Sequence, residues 1–230
     1  MPKVKTIQHV FDRETLYNLN KLESDGYIGQ LIGPVGTGKE SYVFLSKDYK
    51  DRSVAVKIHR HNIQSFNKIP AYLKLRGAKT GGFFKTIDDW SRFEYNFLSR
   101  AFNSGVNVPE PYRLFGNIIV MQFIGEESTP ARLAVKDTSF DLDGWYSEII
   151  GFIITMGKKH FVHGDLSPYN ILNFKGIPYI IDFSQALKLT GLTEEYLFRD
   201  IRNINTWFKK LGKQNLLLEA DVASRIQESH

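Results

Sequence analysis

Two stretches, His163-Gly-Asp-Leu-Ser-Pro-Tyr-Asn170 and Tyr179-Ile-Ile-Asp-Phe183, place three oxygen-bearing side chains at intervals that suit one kind of chemistry. Transfer of a phosphoryl group to a hydroxyl needs a carboxylate that positions the hydroxyl and accepts its proton. It also needs an amide and a second carboxylate to hold a metal that bridges the phosphates. Asp165 is spaced for the first task, and Asn170 and Asp182 for the second. Ile171-Leu-Asn-Phe and Ile177-Pro-Tyr-Ile-Ile read as two short strands joined at Lys175-Gly176, a hairpin that would bring Asn170 and Asp182 together. His163 reads as a prop that holds the loop by hydrogen bonds rather than as a reacting group.

A phosphate-handling loop is also present. Gly33-Pro-Val-Gly-Thr-Gly-Lys-Glu-Ser41 follows the pattern G-x-x-x-x-G-K-[ST] except at Glu40, which stands in place of the hydroxyl residue. Such a P-loop opens a helix. Here the β-rich runs Tyr42-Val43-Phe44-Leu45 and Ser53-Val-Ala-Val-Lys-Ile58 follow, so the loop falls inside a hairpin. Protein kinases use that context: a glycine-rich hairpin covers the ATP phosphates, and a lysine on the next strand, here Lys57 of Val54-Ala-Val-Lys57, pairs with them. Each piece alone has a plainer reading, a simple turn or a lysine snorkelling at a strand end; their order and spacing make the case. The lysine needs an acidic partner on a helix. Asp88 to Phe102 has helical spacing, with Trp90, Phe93, Phe97 and Ala101 on one face and acids in its first turn. Glu94 shares that side and faces partly inward, so Lys57 is its best partner, the alternative being a solvated helix acid.

Elsewhere Asp12 is placed to cap a helix carrying Leu16, Leu19 and Leu22 and stopping near Gly26. Thr193 to Leu211, capped by Thr193 with Leu197, Ile201, Ile204 and Phe208 as its core face, and Glu219 to Gln227 read as helices. The 48 residues after Asp182 contain no A-P-E, and Ser184-Gln185 replaces the glycine of D-F-G, so neither an activation segment nor a peptide-docking helical subdomain is expected.

The chain of 230 residues, 42% apolar and 24% charged, has the composition of a soluble globular protein. It has no apolar run long enough to span a membrane and no signal-peptide core, which reads as cytosolic, cytoplasmic protein. The absence of cysteine excludes disulfides, thiolate metal sites and cysteine nucleophiles. Net charge is +5, yet the acid-free stretch Arg52 to Ile87 carries eight cations: Arg52, Lys57, Arg60, Lys68, Lys74, Arg76, Lys79 and Lys85. This is a solvated loop, an RNA-facing surface, or both; Phe66, Tyr72, Phe83 and Phe84 within it could stack on unpaired bases.

At this level of detail the chain resembles the RIO atypical protein kinases. The resemblance covers nearly its whole length: GTGKES, VAVKIHR, a long insertion before the glutamate helix, VPEPYRLFGNIIVMQFIGE, HGDLSPYN, IIDFSQA and FRDIRNINTWF. VFDRETLYNLNKL leading straight into the loop is most similar to the first RIO subtype. Gly164 and Pro168 depart from the Ala and Glu usual there, and SFNKI resembles the second subtype. The resemblance implies an α+β, two-lobed protein-kinase-like fold in one domain, 1–230. Its parts would be an N-terminal helical extension (1–30), an N-lobe of antiparallel sheet plus helix (31–125) with a basic flexible insertion at about 60–87, and a minimal, mainly helical C-lobe (126–230).

It further implies that Thr37, Gly38, Lys39, Ser41 and Val43 approach the nucleotide, with Lys57 on its phosphates and Glu94 as partner of that lysine. Met121, Phe123 and Ile124 would lie in the hinge that meets adenine. Asp165 would be the catalytic aspartate, and Asn170 and Asp182 would hold Mg²⁺ or Mn²⁺. ATP is the implied cofactor. A phospho-aspartate at the metal-binding position, an ATPase-like switch, and precursors of the small ribosomal subunit as partner, met through the basic stretch 52–87, belong to the same resemblance; no membrane or DNA partner does. Three rivals remain: a small-molecule kinase of the aminoglycoside or choline type, the small kinase of the tRNA-threonylcarbamoyl machinery, and an RNA-binding pseudokinase scaffold.

Overall fold

The computed structural model describes residues 11–37, 40–60 and 87–228. Gly38, Lys39 and most of the basic insertion (61–86) lie outside the described residues, as do the Phe66, Tyr72, Phe83 and Phe84 rings. Asp12 accepts a hydrogen bond from the Thr15 amide at 2.8 Å and caps helix α1, Arg13–Ser24. The chain then turns at Gly26, which has positive φ. Leu19 and Leu22 of α1 pack on an antiparallel sheet whose spatial order is β1 (Gly33–Thr37), β2 (Ser41–Lys47), β3 (Ser53–His59), β5 (Ile118–Gln122), β4 (Pro111–Phe115). Side chains alternate along a strand, so Val54, Val56 and Ile58 of β3 face α1, while Ala55, Lys57 and His59 point to the opposite side.

The glycine-rich segment lies in a hairpin. Thr37 sits opposite Tyr42 and Gly33 opposite Leu45, with a bulge between Pro34 and Gly36. Helix α2, Ile87–Asn103, wedges between this sheet and the lower half of the molecule. Its buried stripe is Ser91, Glu94, Phe97, Leu98 and Ala101, with Trp90 and Phe93 half-buried. The stripe is rotated from the expected Trp90–Phe93–Phe97–Ala101 face and brings Glu94 fully inward. The cause is chemical: Glu94 meets the Lys57 ammonium and the His59 ring on β3, which lets a carboxylate occupy the centre of the face.

Below the sheet the chain passes through β6 (Gly125–Glu126), β7 (Thr129–Pro130) and β8 (Arg132–Leu133) into helix α3, Leu142–Lys158, capped by Asp141. Strand β9 (Phe161–Val162) follows, then the β10–β11 hairpin (Ile171–Phe174, Ile177–Ile180), strand β12 (Leu187–Lys188), and helices α4 (Glu194–Lys210) and α5 (Glu219–Gln227). Leu197, Ile201, Ile204 and Phe208 of α4 join Phe161, Phe183 and Met156 in one apolar core. Each such side chain contributes about 1.5–3 kcal/mol by leaving water. An exposed ion pair contributes about 0–1, so apolar packing holds this half together. Thr193 precedes α4 without capping it, because its hydroxyl is engaged by Thr190 and the Lys188 carbonyl.

Because β2, not a helix, follows the glycine-rich turn, completing the P-loop pattern with Glu40→Thr is expected to bring no gain in ATP affinity beyond that of Glu40→Gln, which removes the charge alone. Titration with a fluorescent nucleotide distinguishes the two; a specific gain from threonine would show that a P-loop can form.

Candidate active site

The two halves meet at a cleft of about 320 Å³. Val35, Val43 and Ala55 form its roof, Met121, Gln122, Phe123 and Ile124 its back, and Leu172 and Ile181 part of its floor. At one end this apolar slot gives way to Ser41, Lys57, Asn170 and Asp182. A flat apolar ring with a charged tail fits such a gradient. Thr37 lies in β1 at the edge of the hairpin.

Lys57 is buried and its Nζ donates to Glu94 Oε1 at 2.5 Å and to Asp182 Oδ1 at 3.1 Å. Burial opposes its charge, but the carboxylates of Asp182 and Glu94 outweigh that and hold the ammonium above the ordinary lysine value. Burial alone would push Glu94 up; the charge of Lys57 and the hydrogen bond to His59 overcome it and hold Glu94 below the usual carboxylate value. Asp182 behaves likewise, kept low chiefly by Lys57, although its side chain is 42% exposed to the cleft. Asp182 also has left-handed backbone, φ 66° and ψ 75°, and its Oδ1 accepts from the Ser184 amide at 3.3 Å.

The β10–β11 hairpin joins Asn170 to Asp182, as expected: Ile171 pairs with Ile180, and the Ile181 amide donates to the Asn170 carbonyl at 3.0 Å. Asn170 Nδ2 donates to the Asp165 carbonyl at 2.8 Å and its carboxylate at 3.3 Å, leaving the amide oxygen directed elsewhere. Asp165 is exposed and stands outside the lining of the cleft, at its mouth. His163 is fully buried; its Nε2 lies 3.0 Å from the Ile181 carbonyl and its Nδ1 accepts from the Asp165 amide at 3.3 Å, which makes it the prop the sequence suggests.

Helix α4 grips the same loop from beneath. Asp200, 2% exposed, accepts from the amides of Gly164 at 2.8 Å and Leu166 at 2.9 Å. Asn203 donates to the Leu166 carbonyl and Arg199 to that of Gly164. Burial pushes the Asp200 carboxyl up; His163 and the two amides counter it. Gly164 is the residue this geometry demands, since its φ is 79° and a Cβ would lie 2.4 Å from the Gln185 carbonyl oxygen.

A family model, the RIO domain, matches residues 42–221. The chain belongs to the RIO family. A RIO-type serine/threonine-protein kinase Rio1 of Haloferax volcanii is 34% identical over 215 residues, 90% of this chain and 73% of that protein. A probable RIO1 homologue of Encephalitozoon cuniculi is also 34% identical, over 90% of this chain and 61% of its own length, and the human serine/threonine-protein kinase RIO1 is 30% identical over 38% of its length. The chain thus spans well under two thirds of several relatives. Among solved structures, the Rio2 kinase–ADP/Mg²⁺–phosphoaspartate complex of Chaetomium thermophilum superposes with a TM-score of 0.74 over 93% of this chain at 23% identity, which establishes the two-lobed RIO kinase fold.

Three groups in the RIO domain had no role in the sequence reading. Asp200 stood in FRDIRN without a task, although a carboxylate three residues beyond Leu197 on a core-facing stripe is the signal of a buried acid with fixed partners. His59 and Ser91 were equally silent; both bear on Glu94 and appear only once β3 and α2 are packed.

Lowered folded-state values for Glu94 and Asp182 mean that their contribution to stability is complete above their ordinary values of 4.5 and 3.8 and is lost as pH falls through the lower folded ones. Glu94→Gln is expected to be destabilised at pH 7 on the scale of about 3–5 kcal/mol, the cost of breaking a buried pair. It is also expected to lose less in melting temperature than the native chain between about pH 5 and pH 3. Parallel pH profiles would show that Glu94 carries none of the acid sensitivity.

Proposed function

We propose that this chain is an ATP- and Mg²⁺-dependent atypical serine/threonine protein kinase that also labels itself and turns over ATP slowly, working on small ribosomal subunit precursors. The observation that carries the catalytic part is the buried Lys57 held between Glu94 and Asp182 at the polar end of an apolar cleft. In this reading adenine occupies the slot at Met121, Phe123 and Ile124, the triphosphate runs beneath Thr37, Gly38, Lys39, Ser41 and Val43, and Lys57 contacts its phosphates, steadied by Glu94. The Rio2 complex from Chaetomium thermophilum, named for ADP, Mg²⁺ and phosphoaspartate, supports the choice of ligands.

The donor set suits Mg²⁺. Asn170 and Asp182 offer hard oxygen atoms, and among the described residues no cluster of three His, Cys, Asp or Glu side chains forms a full cage. Mg²⁺ is usually held that way, by one or two side chains with phosphate and water completing the shell. When bound, it neutralises charge that builds between the transferred phosphoryl group and the leaving diphosphate. Asp165, oriented by Asn170, accepts the proton of an incoming hydroxyl at the mouth of the cleft. Residues 183–193 alone separate Asp182 from α4, so no long segment lies there to align an extended peptide. Poor alignment can cost about 10²-fold, which favours acceptors tethered to the site: hydroxyls such as Ser65 or Thr80, or the ionised Asp182 itself.

Asp165→Asn is expected to keep ATP binding and lose roughly 10²-fold or more in turnover, and Asp182→Ala to abolish metal-dependent turnover. Label from γ-labelled ATP is expected on the chain itself; hydroxylamine releases it if it is an acyl phosphate, whereas phosphoserine resists. Unchanged ATP consumption in both variants would refute the kinase reading.

The RNA-facing part of the reading rests on cations beyond Arg60. Lys57 is internal and Arg52 is paired with Asp48 at 2.7 Å, so neither serves a basic outer surface. Affinity for structured ribosomal RNA is expected to fall steeply with salt, and reversing Lys68, Lys74, Arg76 and Lys79 to flatten that slope without changing ATP affinity. Salt-insensitive binding would leave the segment a solvated loop.

A further inference from the structure

Behind the Lys57–Glu94 pair runs a line of buried polar side chains that phosphoryl transfer does not itself use. Glu94 gives one oxygen to Lys57; the other, Oε2, lies 2.8 Å from His59 Nε2. His59 is 1% exposed, and its Nδ1 lies 2.9 Å from the hydroxyl of Ser91, one turn before Glu94 on α2. Lys57 and His59 leave the same face of β3, so the strand grips α2 with two side chains.

The backbone of His59 is fixed from behind in turn. Its amide donates to the Asn117 carbonyl at 3.0 Å, and its carbonyl accepts from Asn117 Nδ2 at 2.8 Å. Asn117 sits fully buried in the turn between β4 and β5 and spends its remaining amide groups on α1: Nδ2 donates to Thr15 Oγ1 at 2.9 Å, and Oδ1 accepts from Asn18 Nδ2 at 3.1 Å. The approach is close enough that a Cβ on neighbouring Gly116, whose φ is 53°, would lie 2.1 Å from Asn18 Nδ2. Polar groups withdrawn from water in this number offer no net stability over a well-packed apolar replacement, so a specific geometry is the gain. That geometry is the orientation of a carboxylate, whose terminal torsion is otherwise soft.

We propose that His59 is a positioning residue for the phosphoryl transfer assigned above, fixing Glu94 so that it presents Oε1 to Lys57, and that helix α1 sets His59 through Asn117. Without this clamp Glu94 is free to rotate from Lys57, and the ammonium falls back on Asp182, which the transfer needs for the metal. The proposal rests on the kinase reading but has a separate test.

His59→Gln retains an amide donor that reaches Glu94, whereas His59→Asn keeps the contact to Ser91 and is too short for Glu94. At saturating ATP and Mg²⁺, single-turnover self-labelling is expected to fall roughly tenfold or more in His59→Asn, the scale of a hydrogen bond to a charged group, and to recover in His59→Gln. In a Glu94→Gln background the two variants are expected to differ little. Thr15→Val, which removes an acceptor from Asn117 at constant volume, is expected to slow labelling about two- to tenfold, with KM for ATP little changed. Equal rates for His59→Asn and His59→Gln, losses that simply add to that of Glu94→Gln, or a native rate in Thr15→Val would overturn the proposal. Failure of the kinase reading looks different: ATP consumption would then be unchanged in both Asp165→Asn and Asp182→Ala.

Discussion

A charged ammonium withdrawn from water is the constraint around which this domain is arranged. Lys57 can stay protonated inside the fold only because two carboxylates converge on it from different directions, Glu94 from α2 and Asp182 from the turn after β11. Those carboxylates are themselves buried or half-buried and need the lysine equally. The result is a joint between the sheet, the helix beside it and the lower half. Any displacement of one element leaves charge uncompensated in a medium of low dielectric, so the three elements are tied to one register.

A second acid does comparable work on backbone. Asp200 binds two amides of the loop that carries Asp165, and Arg199 and Asn203 hold carbonyls of the same loop. The exposed Asp165 side chain is thereby carried on a rigid base, fixed on one side by α4 and on the other by His163 and Asn170. Rigid support beneath an accessible group is what proton transfer to a diffusing or tethered partner requires.

Much of this was legible in the residues because the reaction chemistry imposes short intervals along the chain. Asp165, Asn170 and Asp182 lie within one loop and one hairpin, and the lysine lies on β3, the strand that follows the glycine-rich hairpin. Glu94 was found as a partner although the face of α2 was misplaced, since aromatic residues at Trp90 and Phe93 outweigh a carboxylate in any hydrophobic pattern. Helix α3 went unread: Ile149-Ile150-Gly151-Phe152-Ile153-Ile154 is apolar almost all round, so the period that betrays a helix is washed out. His59, Ser91, Asn117 and Asp200 were invisible for another reason. Their roles depend on partners far away in sequence, and a buried polar residue carries no local mark of the bond that will satisfy it.

The passage from Asp182 to α4 is brief, only residues 183–193, and is pinned by the β12–β9 pairing and by the hydroxyl of Thr193. Many phosphotransferases are turned on and off by refolding a long segment at this point. Here there is too little chain to refold. On the kinase reading proposed above, that leaves the entry of nucleotide into the cleft and the escape of product as the steps open to control.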